Sequence, residues 1–272
     1  MSVMTSTPAV VSGQQRSAEL EQAIAHDPGA FRILTGDRPT GPLHVGHYFG
    51  SLANRVRLQE AGVELLVLIA DYQALTDRTA SADLPDVVLG LVADYLAAGV
   101  DPERATIFAH SQVAALNQLL LPFLSLVSVA EIGRNPTVKD EMAAAGSDVM
   151  SGLMFAYPVH QAADILACQA NLVPVGKDQL PHLELTRVIA RRFNDRYSPD
   201  APFFAEPAAL LSAAPLLLGL DGRKISKSLG NSIPLRAPQT RRPGWSRAPS
   251  PTRSGASVTT RSAGRKCPAW CC

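Results

Sequence analysis

The run ELLVLIA at residues 64–70 constrains this chain more than any other feature. Its apolar residues follow one another without alternation, so a strand built from them must be buried on both faces, with helices covering each side of the sheet. Neighbouring segments agree with that demand. FRILT at 31–35 and ATIFA at 105–109 have strand character, and LVPV at 172–175 is a further short strand. Between them, helical spacing runs from Val45 to about Glu60, and residues 83–98 form an amphipathic helix that Gly99 ends. Strands alternating with helices predict a parallel sheet with right-handed crossovers, the doubly wound α/β class. From about 112 to 200 the pattern is mainly helical and reads as an insertion that returns to the sheet.

With 272 residues, 46% of them hydrophobic, the chain can bury one large core, or one domain of about 200 residues with appendages. Residues 1–29 are polar, small and aperiodic until a helical stretch at 17–25, and read as an N-terminal extension before a body spanning 30–234. Residues 1–234 hold 17 basic and 24 acidic residues, a balance of −7, which argues against a sequence-independent polyanion binder; no DNA partner is expected. Residues 235–272 have another character. They carry both tryptophans, Trp245 and Trp270, three cysteines and eight basic residues, show no period, and cannot build a core. A basic arm and an out-of-frame product both fit. The second is preferred, because GC-rich DNA read in the wrong frame yields Arg, Pro, Ala, Gly and Ser freely. Cys168 alone in the body offers no disulfide framework. The longest apolar run, 119–130, is too short to cross a membrane and is interrupted by Pro122, Ser125 and Ser128. With no secretory signal at the start, the expected location is the cytoplasm.

Two segments point to phosphate chemistry. GDRPTGPLHVGHYFG at 36–50 places a Gly/Pro-rich turn after a buried strand and two histidines at a helix start, where unpaired N–H groups and the positive dipole end favour an anion. His44 and His47 can point imidazole N–H groups at a polyphosphate, and Gly46 lets a nucleotide approach the backbone. A zinc site would need a third ligand that does not accompany the pair, so ATP is expected and no metal site. The second segment, GRKISKSLGNSI at 222–233, sets Lys224 and Lys227 on a glycine-flanked loop with Ser226 and Ser228 as further donors. Two ammonium groups so placed could clamp a pyrophosphate leaving group as its charge grows.

PTGPLHVGHYFG resembles the first signature of the class I aminoacyl-tRNA synthetases, in the form the tryptophanyl enzymes use. KISKS resembles the second signature, with Ile225 in place of methionine, about 180 residues later as in short members of the class. Between them, residues 157–197 resemble the tryptophanyl form along their whole length. The resemblance covers 31 to about 234 and implies a Rossmann-like catalytic domain. It makes Asp164 the acceptor for an indole N–H, puts Tyr157 and Gln179 near the substrate amino group, and lines the nucleotide side with Gly176, Lys177 and Asp178. Arg38, Pro39 and Thr40 in the turn, Leu216 before the lysine loop and Ile225 within it complete the expected ATP contacts. Arg38 stands where many relatives carry Gln, and Gln161, beside the amino acid, where many carry Met. His160 and His182 are expected to be structural, and Lys139 is a candidate phosphate or tRNA contact.

The reaction implied is attack of the tryptophan carboxylate on the α-phosphorus of ATP·Mg²⁺, then transfer of the acyl group to tRNA(Trp), with positioning and electrostatics supplying the rate. Mg²⁺ would arrive with ATP and need no dedicated protein site. A homodimer is also implied, with the apolar helix expected at 116–129 as a candidate for part of its interface. Nothing in 235–272 resembles the helical anticodon-reading domain of the family. That domain is therefore expected to be absent, and transfer to tRNA impaired. Two rival readings remain at this stage: another nucleotidyltransferase with the same first signature, and a non-enzymatic or unstable fragment.

Overall fold

The computed structural model describes residues 8–76, 83–136, 138, 151–211, 221, 225 and 231–236. Five parallel strands form one sheet: β1 (Arg32–Asp37), β2 (Glu64–Ile69), β3 (Ala105–Ala109), β4 (Leu172–Val175) and β5 (Ala208–Leu211), in the order β3-β2-β1-β4-β5. Register is fixed by Ile33 opposite both Leu65 and Leu172, and by Leu172 opposite Ala208. From β1 the chain builds outward to β2 and β3, then returns to add β4 and β5 on the other side. The reversal between β1 and β4 is the topological switch point, and it opens a crevice beyond the carboxyl ends of those strands.

Burial explains the unbroken apolar run. Leu65, Val67 and Ile69 point to one face and join Ile33, Ile24, Leu52, Leu58, Leu91 and Tyr95. Apart from Ile33 of β1, these come from α1 (Pro8–His26), α3 (Ala53–Glu60) and α4 (Leu84–Ala98), and from the helical turn before α3. Leu68 points to the other face and joins Leu34, Val173, Val175, Ile165 and Leu183, from α8 (Gly152–Ala167) and α9 (Leu180–Tyr197). Alternate side chains of each strand thus meet different helical layers, and both layers are apolar. Gly99 ends α4 with φ of 106°, a left-handed conformation that costs a residue without a Cβ little.

The insertion has its own core, with Phe123, Ile132, Val159, Ala162, Ile189 and Phe204 in contact. The apolar segment 116–129, expected as one helix, is not continuous. It breaks into α5 (Ala114–Gln118) and α6 (Leu120–Leu124), followed by α7 (Val129–Gly133). Pro122 lacks the N–H that would continue the first helix, and the chain restarts around it. Leu116 and Phe123 are spent on the internal core, leaving Leu121 and Val129 exposed.

The N-terminal helix is longer than the sequence pattern predicts and belongs to the fold. Ile24 is 2% exposed, and Ser17 Oγ donates to Gly13 O while accepting from Leu211 N at 3.0 Å, which caps the edge of the sheet at β5. At the far end, ordered packing runs two residues past the expected boundary at 234. Leu235 N donates to Leu43 O at 2.9 Å and Arg236 pairs with buried Asp94. Residues 237–272 lie outside the described residues.

Candidate active site

The turn that leaves β1 leads straight into α2 (Val45–His47), which continues through a π-helical turn (Tyr48–Leu52) into α3. Such widened turns are a frequent mark of functional positions. His44 is the N-cap. Its Nδ1 accepts from Gly46 N at 3.1 Å, and His47 Nδ1 accepts from His44 N at 3.1 Å, a capping box made of two imidazoles. Because both Nδ1 atoms accept, the neutral rings carry their protons on Nε2. The rings lie 3.8 Å apart between centroids, so two N–H donors leave the helix start side by side.

The two phosphate signatures meet in space. Val45 N donates to Ile233 O at 2.9 Å, and His44 forms an antiparallel bridge with Pro234. Asn231 Nδ2 donates to Asp221 Oδ1 at 2.7 Å, tying together the two ends of the lysine loop. Ile225 packs over Gly46 so closely that a Cβ there would come within 2.8 Å of Ile225 Cγ2 and of His44 Cε1. Gly46 therefore makes room for the loop and the histidine ring. Lys224, Lys227, Ser226, Ser228, Leu216 and Lys139 lie outside the described residues.

Beside this turn, a cavity of about 340 Å³ opens over the switch point. Its wall includes Gly36, Asp37 and Arg38 from β1 and the turn, Val173, Val175, Gly176 and Gln179 from β4 and its sequel, and Tyr157, Gln161 and Asp164 from α8. A smaller adjoining space of about 150 Å³ shares Thr35, Gly36, Pro174, Val175 and Gly176 and reaches Gly50, Ser51, Asn54 and Arg55. Six predicted residues thus share one wall: Arg38, Tyr157, Gln161, Asp164, Gly176 and Gln179. Lys177 and Asp178 do not; both are exposed on the turn after β4. Pro39 is buried in the turn after β1 and Thr40 is exposed there, its N–H donating to Arg38 O at 2.8 Å.

Asp164 is 2% exposed, and its Oδ1 has no hydrogen-bond partner among the described residues. Its Oδ2 lies 2.9 Å from Nε2 of His110, a residue that sequence reasoning missed. The one signal was its position, immediately after the carboxyl end of a parallel strand. His160 and His182 stand behind the wall. His160 Nε2 lies 2.9 Å from Asn117 Oδ1, and His182 Nε2 lies 3.2 Å from Tyr157 Oη. Burial pushes both imidazoles below their ordinary pKa, His182 to about 4. His110, His160 and Asp164 each offer a ligand atom within 4.8 Å of the others. The 2.9 Å approach of His110 to Asp164 is an ion-pair contact without hydrogen-bond alignment, and both ring nitrogens of His110 lack a hydrogen-bond partner among the described residues.

Under the cavity floor lies a second buried network. Arg55 Nη1 meets Asp37 Oδ2 at 2.7 Å, Arg55 Nε donates to Thr35 Oγ1 at 3.1 Å, and Tyr95 Oη donates to Asp37 Oδ2 at 2.7 Å. Burial pushes the Asp37 carboxyl up, but the guanidinium charge with the two hydrogen bonds outweighs it and holds the group below its usual range.

Residues 27–242 match the family model of class I tRNA synthetases for tryptophan and tyrosine (W and Y). The chain belongs to that family. Among curated relatives, it is 52% identical over 209 residues to the tryptophan–tRNA ligase of Lactococcus lactis and 51% identical over the same length to that of Streptococcus pyogenes. Each match covers 74% of this chain, and the chain spans about 60% of the length of those relatives. The tryptophanyl-tRNA synthetase of Campylobacter jejuni, solved with ADP and tryptophan, superposes with a TM-score of 0.71 at 33% identity, over 77% of this chain and 64% of that one. The tyrosyl-tRNA synthetase of Archaeoglobus fulgidus, solved with tyrosine, gives 0.66 at 28%, over 81% and 66%. Membership in this class I family fits the five-stranded parallel sheet and the site over its switch point. No helix among the described residues is long and apolar enough to cross a membrane.

Proposed function

We propose that this chain activates L-tryptophan with ATP·Mg²⁺ and passes the tryptophanyl group to tRNA(Trp). In the first step a tryptophan carboxylate oxygen bonds to the α-phosphorus while the bond to the β-phosphate oxygen breaks, giving tryptophanyl-adenylate and pyrophosphate. The observation that carries this reading is Asp164, a buried wall residue whose Oδ1 has no donor among the described residues. Leaving a buried carboxylate oxygen unpaired costs about 1–3 kcal/mol, and an aromatic ligand bearing an N–H removes that cost where phenylalanine does not.

In this reading Tyr157 and Gln179 hold the amino group, and Arg38 and Gln161 shape the wall between amino acid and nucleotide. Gly176, with Lys177 and Asp178 at the rim, borders the nucleotide. The paired Nε2–H groups of His44 and His47 meet the phosphates, and Lys224 and Lys227 close over the departing pyrophosphate. Mg²⁺ enters on the triphosphate. The same reading places the protein in the cytoplasm as a homodimer. Tryptophan-dependent ATP–pyrophosphate exchange tests the first step, and charging of tRNA(Trp) tests the second. Exchange with tryptophan, and far less with phenylalanine or tyrosine, is the expected result. Exchange that ignores the amino acid would overturn it.

A further inference from the structure

Behind Asp164 stands a side chain that the reaction itself does not call upon. His110 begins the short turn (His110–Gln112) after β3 and is 0% exposed. It is not part of the cavity wall. Its Nε2 lies at ion-pair distance, 2.9 Å, from Asp164 Oδ2 and its Nδ1 lies 3.9 Å from Asp71 Oδ1 at the end of β2, with hydrogen-bond alignment at neither nitrogen. That second carboxylate is fixed by backbone, because Asp71 Oδ1 accepts from Tyr72 N at 3.0 Å and Ser111 N at 3.2 Å. The imidazole plane is set by a near-parallel stack on Tyr72, at 14° and 5.9 Å, and by His160 at 4.7 Å on a tilted contact. His160 is itself held by Asn117. The ring therefore has little freedom to turn, and it ties the ends of two strands to α8.

A carboxylate has two oxygens and one torsion that exchanges them. Whatever grips Oδ2 decides where Oδ1 points. We propose that His110 is the positioning residue that gives the site its preference for an indole N–H: it grips Asp164 Oδ2 from behind, so that Oδ1 is kept for the substrate. The inference rests on the tryptophan reading of the cavity. Without the grip, Asp164 can rotate or take up a proton, and a ligand lacking the N–H then meets no penalty.

The test uses two amino acids of nearly equal shape: tryptophan, and 3-(benzothiophen-3-yl)alanine, in which sulfur replaces the indole N–H. Pyrophosphate exchange gives kcat and KM for both with the wild-type protein, His110→Gln and His110→Met. Gln keeps an N–H donor at similar reach; Met has similar length and none. The wild type should prefer tryptophan by about 5- to 150-fold, the ratio expected for one buried hydrogen bond to a carboxylate. In His110→Met the preference should fall to within about threefold of unity, through a rise in KM for tryptophan with that for the sulfur analogue nearly unchanged. His110→Gln should recover most of it. Loss of packing alone would weaken both substrates together. A folded His110→Met that keeps the wild-type preference overturns the proposal. Should that variant not fold, His110→Gln still decides, since a folded Gln variant without the preference contradicts it. A wild-type protein that activates amino acids but does not prefer tryptophan to the sulfur analogue contradicts the tryptophan reading itself, whatever His110 does.

Discussion

Arg55 Nη1 sits 2.7 Å from Asp37 Oδ2, joining α3 to the end of β1 directly under the candidate active site. Arg55 is 2% exposed, so its charge has no route to water if the partner is removed. Asp37→Ala should therefore destabilise the protein by about 3–5 kcal/mol, and Arg55→Met by a similar amount. The double variant should lose clearly less than the sum, because neither charge is then left alone. Urea unfolding of the four proteins checks this. Additive losses would show that the pair is not coupled.

Gly46 lies beneath Ile225, with no room for a methyl group. Gly46→Ala should push the lysine loop away from His44 and His47 while leaving the amino-acid cavity intact. A displacement of about 1 Å at a reacting group can cost about 100-fold in rate. The expected outcome is a drop in kcat for pyrophosphate exchange of about 10- to 100-fold with the KM for tryptophan nearly unchanged. An unaltered kcat would mean that the contact is incidental.

The pH dependence of stability follows from His182. Its folded pKa of about 4 lies below the ordinary 6.5 because burial disfavours the charged ring. Between those values the unfolded chain binds a proton that the folded one does not, so stability rises with pH there. The contribution is fully present above 6.5, is lost as pH falls toward 4, and amounts to at most on the order of 3 kcal/mol. Thermal unfolding of wild type between pH 7 and 4 should show a falling Tm, and His182→Gln should show a shallower fall. Parallel slopes would remove His182 from the explanation.

Much of this was legible in the sequence, and the exceptions have physical causes. The strands that gave clear signals, FRILT, ELLVLIA, ATIFA and LVPV, divide their side chains between two apolar helical layers, as β5 also does. β5, with the sequence AALL, went unnoticed because alanine has little strand preference and four residues carry no period. The N-terminal helix showed only part of its length, since Ser17 and Ile24 are held by β5 and the core rather than by local pattern. In the site, the HVGH turn was readable from its own spacing, whereas Tyr157, Gln161 and Asp164 were singled out only through the family resemblance; α8 brings them to one wall. His110, Asp37 and Arg55 were not singled out. They come from three separate elements, and only the sheet order brings each beside its partner.

Asp164→Ala should abolish selection for the N–H, at some cost in stability because buried His110 loses the carboxylate beside it. The KM for tryptophan in exchange should rise by about 5- to 150-fold, with little change for an analogue that has no N–H. A change confined to kcat would move Asp164 from substrate recognition to the chemistry.

The central claim is that the cavity between β1, β4 and α8 is a slot for an indole beside a nucleotide. Isothermal titration calorimetry of the whole chain with tryptophan, with phenylalanine and with ATP tests it most directly. The account predicts measurable binding of tryptophan and of ATP, with phenylalanine weaker than tryptophan by at least about tenfold. A protein with a folded circular dichroism spectrum that bound neither ATP nor tryptophan, or took phenylalanine equally well, would contradict it.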